Sequence, residues 1–160
     1  MERLYLGIEI GGTKLQLVLG DESATIRRRW RHVVDRKKGA IAIREQIATT
    51  LQEVCASTSL SGVGVGFGGP VDWKTGTICR SHHIEGWSDF ELGAWLKHLT
   101  KLPVRVDNDA DVAALGESRH GAGVPFNPVF YATLGSGVGG GLVVDGAIYH
   151  GAKPDRKSVV

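Results

Sequence analysis

The sequence predicts a mixed α/β fold. Three observations point to it: short leucine- and valine-rich runs that read as strands, three stretches of helical apolar spacing between them, and glycines gathered at the junctions. The chain has 160 residues, enough for a core of its own. Glycine supplies 23 of them, roughly twice an average share, clustered at 11–12, 62–69, 121–123 and 135–141. Clustering of this kind marks selected backbone geometry rather than low complexity.

Residues 4–10 (Leu-Tyr-Leu-Gly-Ile-Glu-Ile) read as a buried strand that turns at Gly11-Gly12. From Lys14 to Leu19, Leu15, Leu17 and Leu19 alternate with Gln16 and Val18, the period of a second strand. Gly20-Asp21 turns the chain again, and Thr25 to Val34 completes a three-stranded meander. Arg27, Arg29 and Arg31 share one face of that third strand, either solvated or facing an acidic partner. Ile43, Ile47, Leu51 and Val54 form one stripe of a helix over 40–56. Residues 62–67 form a buried strand running into Gly68-Gly69-Pro70. A second helix is expected from Asp89, as N-cap, to Leu99, with Phe90, Leu92, Leu96 and Leu99 as its apolar contacts. Val104 to Val106 is a short strand, and Asp109 to Arg119 a third helix stopped at Gly121-Ala122-Gly123. Strands at 129–134 and 142–144 close the pattern, separated by the glycine run.

Composition excludes several classes of function. The chain is 42% hydrophobic and 22% charged, as in a soluble globular protein. Its net charge of +2 gives no electrostatic case for nucleic acid. Cys55 and Cys79 lack paired-ligand spacing, which argues against a disulfide framework or zinc site and suits a reducing cytoplasm. No apolar run reaches the ~18–20 residues of a membrane span, and the first residues lack a signal-peptide core.

Common motifs fail on context. Gly64-x-Gly66-x-x-Gly69 and Gly135-x-Gly137-x-x-Gly140 fit the dinucleotide fingerprint, but Pro70 follows the first and a strand follows the second where a helix should begin. Gly12-Thr13-Lys14 is not a Walker A loop. Asp107-x-Asp109-x-Asp111 opens like a calcium loop, yet Val112 and Ser118 occupy the positions that need Gly and Glu. His82-His83 has no spaced third ligand and reads as loop. What remains is a tight strand–turn–strand, Gly11-Gly12-Thr13-Lys14, with Glu9 two residues before it, and a second glycine hairpin, Gly135-Ser136-Gly137. Both can turn backbone N–H groups toward phosphate. Between them Asp107-Asn108-Asp109 lies where a strand enters a helix, a place either for an N-cap or for a carboxylate that takes a hydroxyl proton.

Taken together these stretches resemble the ROK family of bacterial sugar kinases, within the actin-like/hexokinase ATPase superfamily. The similarity runs through Leu6–Lys14, Gly66–Asp72, Gly86-Trp87, Val106–Glu117, Tyr131–Gly141 and Asp145-Gly146, in family order. It implies a ribonuclease H-like mixed sheet with flanking helices over 1–121, and the start of a second lobe over 122–160. By resemblance, Asp109 is the catalytic base and Gly68, Gly69, Asn108 and Asp109 face a hexose, glucose or N-acetylmannosamine. Glu9, Gly11, Gly12, Thr13, Lys14, Gly135, Ser136 and Gly137 would serve ATP with Mg²⁺, with no protein-held metal in this region. The full-length form is expected to be a cytoplasmic homodimer that binds neither nucleic acid nor membrane.

This chain departs from the family at two places. Glu9 replaces the usual Asp and reaches one methylene further. After Gly151 the family continues into Gly-Glu-Ile-Gly-His, a cysteine-rich zinc site and most of the second lobe; here the chain reads Lys153 to Val160. A reading-frame shift near residue 154 is one expectation, since codons for Arg156 to Val159 read one base out of frame permit Glu-Ile-Gly. Natural truncation or a cloning boundary is the alternative. The 160 residues alone are therefore expected to be a catalytically inactive fragment. Regulators of the family carry a helix-turn-helix ahead of the kinase-like fold, and a first strand beginning at residue 4 argues against that reading.

Overall fold

Alternation in the first three strands sets the architecture. In a computed structural model describing residues 2–81, 84–134 and 138–151, β1 (Leu4–Ile10), β2 (Lys14–Asp21) and β3 (Ile26–Val33) form the expected meander. β4 (Leu60–Phe67) then pairs parallel to β1, and β7 (Val104–Asn108) parallel to β4. The sheet order is β3-β2-β1-β4-β7, antiparallel on one side and parallel on the other. Leu6, Ile8 and Ile10 of β1, Leu15 and Leu17 of β2, and Val63, Val65 and Phe67 of β4 all bury toward one core. Helix α1 (Gly39–Ser57) adds Ile43, Ile47, Leu51 and Val54 to it, the stripe its spacing predicts, and α2 (Leu92–Thr100) adds Leu92 and Leu96. Trp87 is fully buried between Phe67 and Phe90, edge to face with centroids 5.4 and 5.6 Å away.

The opposite sheet face is built differently. There the residues in register are Gly7, Glu9, Gln16, Gly64, Gly66, Arg105 and Asp107. Helix α3 (Asp109–His120) continues directly from β7 and crosses beside Gly66, where a Cβ would meet the Asp109 Cα at 3.4 Å and the Val112 Cβ at 3.6 Å. A second sheet, ordered β10-β9-β8, packs against the far side of α3 through β8 (Val129–Leu134) and β9 (Val138–Val144), with β10 (Ala147–Ile148) at its edge. A two-stranded ribbon, β5 (Val71–Asp72) with β6 (Thr77–Ile78), follows the Gly68-Gly69 turn. Between sheet face and α3 lies an open groove of about 920 Å³.

Three local expectations are corrected. Helix α2 begins at Leu92, not at Asp89: Asp89 has φ +59° and its N–H donates to the Ile78 carbonyl at 2.8 Å, tying it to β6 instead. Leu99, in the last turn of α2, is 44% exposed rather than a core contact. The glycines at 139–141 do not separate two strands but belong to β9. Gly141 lies under α3, where a Cβ would stand 2.5 Å from the Ala110 carbonyl oxygen and 2.7 Å from the Ala114 Cβ. Among the described residues no helix is long and apolar enough to cross a membrane.

Candidate active site

Parallel strands carry their functional groups at their carboxyl ends. Here three such ends, those of β1, β4 and β7, come together. After β1 the chain turns at Gly11 to Thr13, closed by the Gly11 N–H donating to the Lys14 carbonyl at 3.0 Å. Two carbonyls of that turn are drawn off to the meander side: Arg36 Nε donates to Gly12 O at 2.7 Å and the Val34 N–H to Thr13 O at 3.1 Å. After β4 the Gly68 N–H donates to the Ile10 carbonyl at 2.9 Å, which ties the second glycine turn to the end of β1. Space at Gly68 is tight on one side: a Cβ would sit 3.2 Å from Ile10 O, and at an ordinary contact distance of 3.5 Å from Asp109 Oδ2.

After β7 comes the Asn108-Asp109 corner. Asn108 is the N-cap of α3, its Oδ1 accepting from the Ala110 N–H at 3.0 Å. Its Nδ2 donates to Gly69 O at 3.1 Å, so one amide fastens the helix start to the Gly68-Gly69 turn. Asp109 shares the Ala110 N–H through one oxygen of its carboxylate. Its Oδ1 accepts from the Ala110 N–H at 2.8 Å, and its Oδ2 lies on the Gly68 side. Burial holds the Asp109 carboxyl above the ordinary carboxylate range; the Ala110 N–H opposes that rise, and the charges of Glu9 and Asp111 add to it.

The structure thus brings Glu9, Gly11, Gly68, Gly69, Asn108 and Asp109 to one rim. Lys14 Nζ lies 3.7 Å from Glu9 Oε1 at the mouth of the first turn. Gly12 and Thr13 form the apex of that turn. Gly135, Ser136 and Gly137 fall outside the described residues, as do His82 and His83. Among the described residues, no group of three or more His, Cys, Asp or Glu could hold a metal ion.

Sequence reasoning missed a second cluster. His150 Nε2 lies 2.6 Å from Asp107 Oδ2, and Trp73 stacks on the imidazole at 4.1 Å with a 12° interplanar angle. These three residues join β7, the β5–β6 ribbon and the segment after β10, two residues from Asp109. Their separation along the chain leaves no local signal. Arg27, on the face left open between solvent and an acidic partner, finds its partners in its own chain, Asp21 and Glu2.

Comparison with known proteins fits this geometry. A glucokinase from Halalkalibacterium halodurans is 38% identical over 155 residues, covering 94% of this chain and 47% of that protein. The ROK family glucokinase of Streptomyces griseus, solved with glucose and AMPPNP, superposes with a TM-score of 0.86 at 31% identity, over 97% of this chain and 49% of the other. The ROK hexokinase of Thermus thermophilus gives 0.80 at 28%, over 96% and 50%. The shared architecture is the actin-like ATPase fold, and the chain spans about half the length of these relatives. The family description "ROK family" matches residues 5–154, nearly the whole sequence, and the chain belongs to that family.

Proposed function

We propose that these residues form the base-bearing lobe of an ATP-dependent hexose kinase, with glucose or N-acetylmannosamine as the sugar class. The observation that carries the reading is Asp109: a partly buried carboxyl, held by the Ala110 N–H through Oδ1 and turning Oδ2 toward the Gly68 turn at the meeting point of three strand ends. A base with a raised pKa is better matched to a hydroxyl proton than an exposed carboxylate is.

In the proposed reaction the sugar hydroxyl gives its proton to Asp109 Oδ2 as its oxygen bonds to the γ-phosphorus of ATP. The bond from that phosphorus to the β,γ-bridging oxygen breaks, and ADP leaves with the electron pair. Asn108 and the Gly68-Gly69 turn orient the hydroxyl. The Gly11 to Thr13 turn, with Lys14, and Gly135 to Gly137 receive the phosphates. Mg²⁺ arrives with the nucleotide as part of the substrate and screens its charge. Positioning and charge stabilisation supply most of the rate in such transfers.

ADP release, assayed with glucose and with N-acetylmannosamine in the complete polypeptide that carries these residues, tests the reading. Hexose-dependent turnover is expected there, and little in the 160-residue chain alone. Absence of turnover with every hexose would overturn the kinase assignment; strong turnover in the isolated chain would overturn the need for further chain.

A further inference from the structure

Glu9, Gln16 and Arg31 are register partners across three strands: Glu9 pairs with Gln16 between β1 and β2, and Gln16 with Arg31 between β2 and β3. All three side chains lie on the sheet face away from the core and join in a line. Gln16 Nε2 donates to Glu9 Oε2 at 2.5 Å, and Arg31 Nε donates to Gln16 Oε1 at 3.0 Å. The next row, Gly7, Val18 and Arg29, has no acceptor with which to repeat the pattern.

We propose that Gln16 and Arg31 are positioning residues that fix the orientation of the Glu9 carboxylate at the mouth of the Gly11 to Thr13 turn. The argument rests on the polarity of an amide. Placed between a guanidinium and a carboxylate, the Gln16 amide has one orientation that satisfies both, with Oε1 to Arg31 and Nε2 to Glu9. Arg31 thereby selects the orientation, and Gln16 transmits it. Glu9 Oε2 is occupied, leaving Oε1 on the Lys14 side. The line also accounts for glutamate at this position. An aspartate carboxylate would fall short by one methylene, about 1.5 Å, and the contact to Gln16 would open to about 4 Å, beyond a hydrogen bond. Here the extra methylene is what brings the carboxylate under the control of the neighbouring strands.

The functional part rests on the kinase reading, so the test has two arms. In the 160-residue chain, the Gln16 side-chain amide protons are followed by NMR. They are expected to be shifted downfield and slowed in exchange, to return to free-glutamine behaviour in Glu9→Asp, to move toward it in Arg31→Met, and to stay put in Arg29→Met. Free-glutamine behaviour in the wild-type chain, or no response to Glu9→Asp, overturns the proposal. In the complete polypeptide, Gln16→Met is expected to lower kcat by about two- to tenfold with the hexose KM unchanged, and to add no further loss in a Glu9→Asp background. Equal losses in both backgrounds overturn the positioning role. If the wild-type polypeptide has no hexose-dependent turnover, the kinase reading fails while the NMR arm still decides whether the line exists.

Discussion

Asp109 illustrates how one side chain can be set against stability. Burial and the neighbouring charges of Glu9 and Asp111 raise its pKa above the ordinary 3.8, so folding disfavours its charged form. For a carboxyl raised in the folded state, the stabilising contribution is complete below the unfolded value and lost as pH rises through the folded value. Asparagine keeps the shape and stays neutral. Asp109→Asn should therefore gain stability over the wild type as pH rises from about 3.5 to 7, while the complete polypeptide loses turnover by about 10²–10⁴-fold. Thermal melts at both ends of that range check the first expectation, and a stability difference independent of pH would refute it. Asp21 shows the opposite sign. It accepts from the Ser23 N–H and Oγ, from the Thr25 N–H and from Arg27, and its pKa falls to about 2, led by the Ser23 hydroxyl. Its contribution to the β2–β3 turn is complete above the ordinary value and disappears as pH falls toward about 2. Protection of the β3 amides, taken relative to their intrinsic exchange rates, should fall over that interval, and Asp21→Asn should remove that fall.

Glycine 141 carries the corresponding argument for the elements. It lets β9 approach the α3 backbone so closely that an added Cβ would meet Ala110 O at 2.5 Å and the Asp111 Cα at 2.9 Å, neither of which can rotate away. Gly141→Ala should cost roughly 1–3 kcal/mol by overpacking, whereas Gly116→Ala, on α3 with open space around it, should gain about 0.5–1 kcal/mol. Urea midpoints of the two variants test the pair; equal effects would mean that β9 and α3 do not pack this way. This glycine also marks the limit of what the sequence discloses. The meander, the α1 stripe and the three strand ends were legible because each follows a period or an adjacent turn: Leu15, Leu17 and Leu19 alternate, and Ile43 to Val54 recur every turn or two. The β9 glycines read as a loop because a glycine needed for close packing and one needed for a turn look alike in one dimension. Asp89 read as a cap for a similar reason, since its engagement with Ile78 depends on a ribbon that no local pattern announces. At the site, Glu9, the first turn and the Asn108-Asp109 corner were visible as motifs. The sharing of the Ala110 N–H between Asn108 Oδ1 and Asp109 Oδ1, with Asp109 Oδ2 turned toward Gly68, was not, because it depends on which oxygen reaches which N–H. The Asp107–His150 pair joins residues 43 apart and could come only from the fold.

At the scale of the whole molecule, the two sheets differ in how their faces are covered. The five-stranded sheet buries its apolar face under α1 and α2. The three-stranded sheet is apolar on both faces: Val143 is 2% exposed against α3, while Phe130, Leu134 and Val138 on the outside are 70%, 82% and 53% exposed. A sheet with two apolar faces is ordinarily covered on both. Among the described residues β8 is moreover an edge strand, so its backbone groups offer a place for another strand beside that exposed face. Apolar area and an unpaired edge in one place favour contact with another chain, and at raised concentration the nearest partner is a second copy. The 160-residue chain should therefore associate reversibly in sedimentation velocity as concentration rises. Phe130→Lys and Leu134→Lys place charge on the exposed face without touching α3, and each should shift the distribution toward monomer while leaving the thermal midpoint within a few degrees, about 1 kcal/mol or less. Val33→Lys, an exposed position on the edge strand of the other sheet, should leave association unchanged. A chain that stays monomeric at every concentration, or one whose association responds to Val33→Lys and not to Phe130→Lys, would show that the outer face of β8 and β9 is not the surface that seeks a cover.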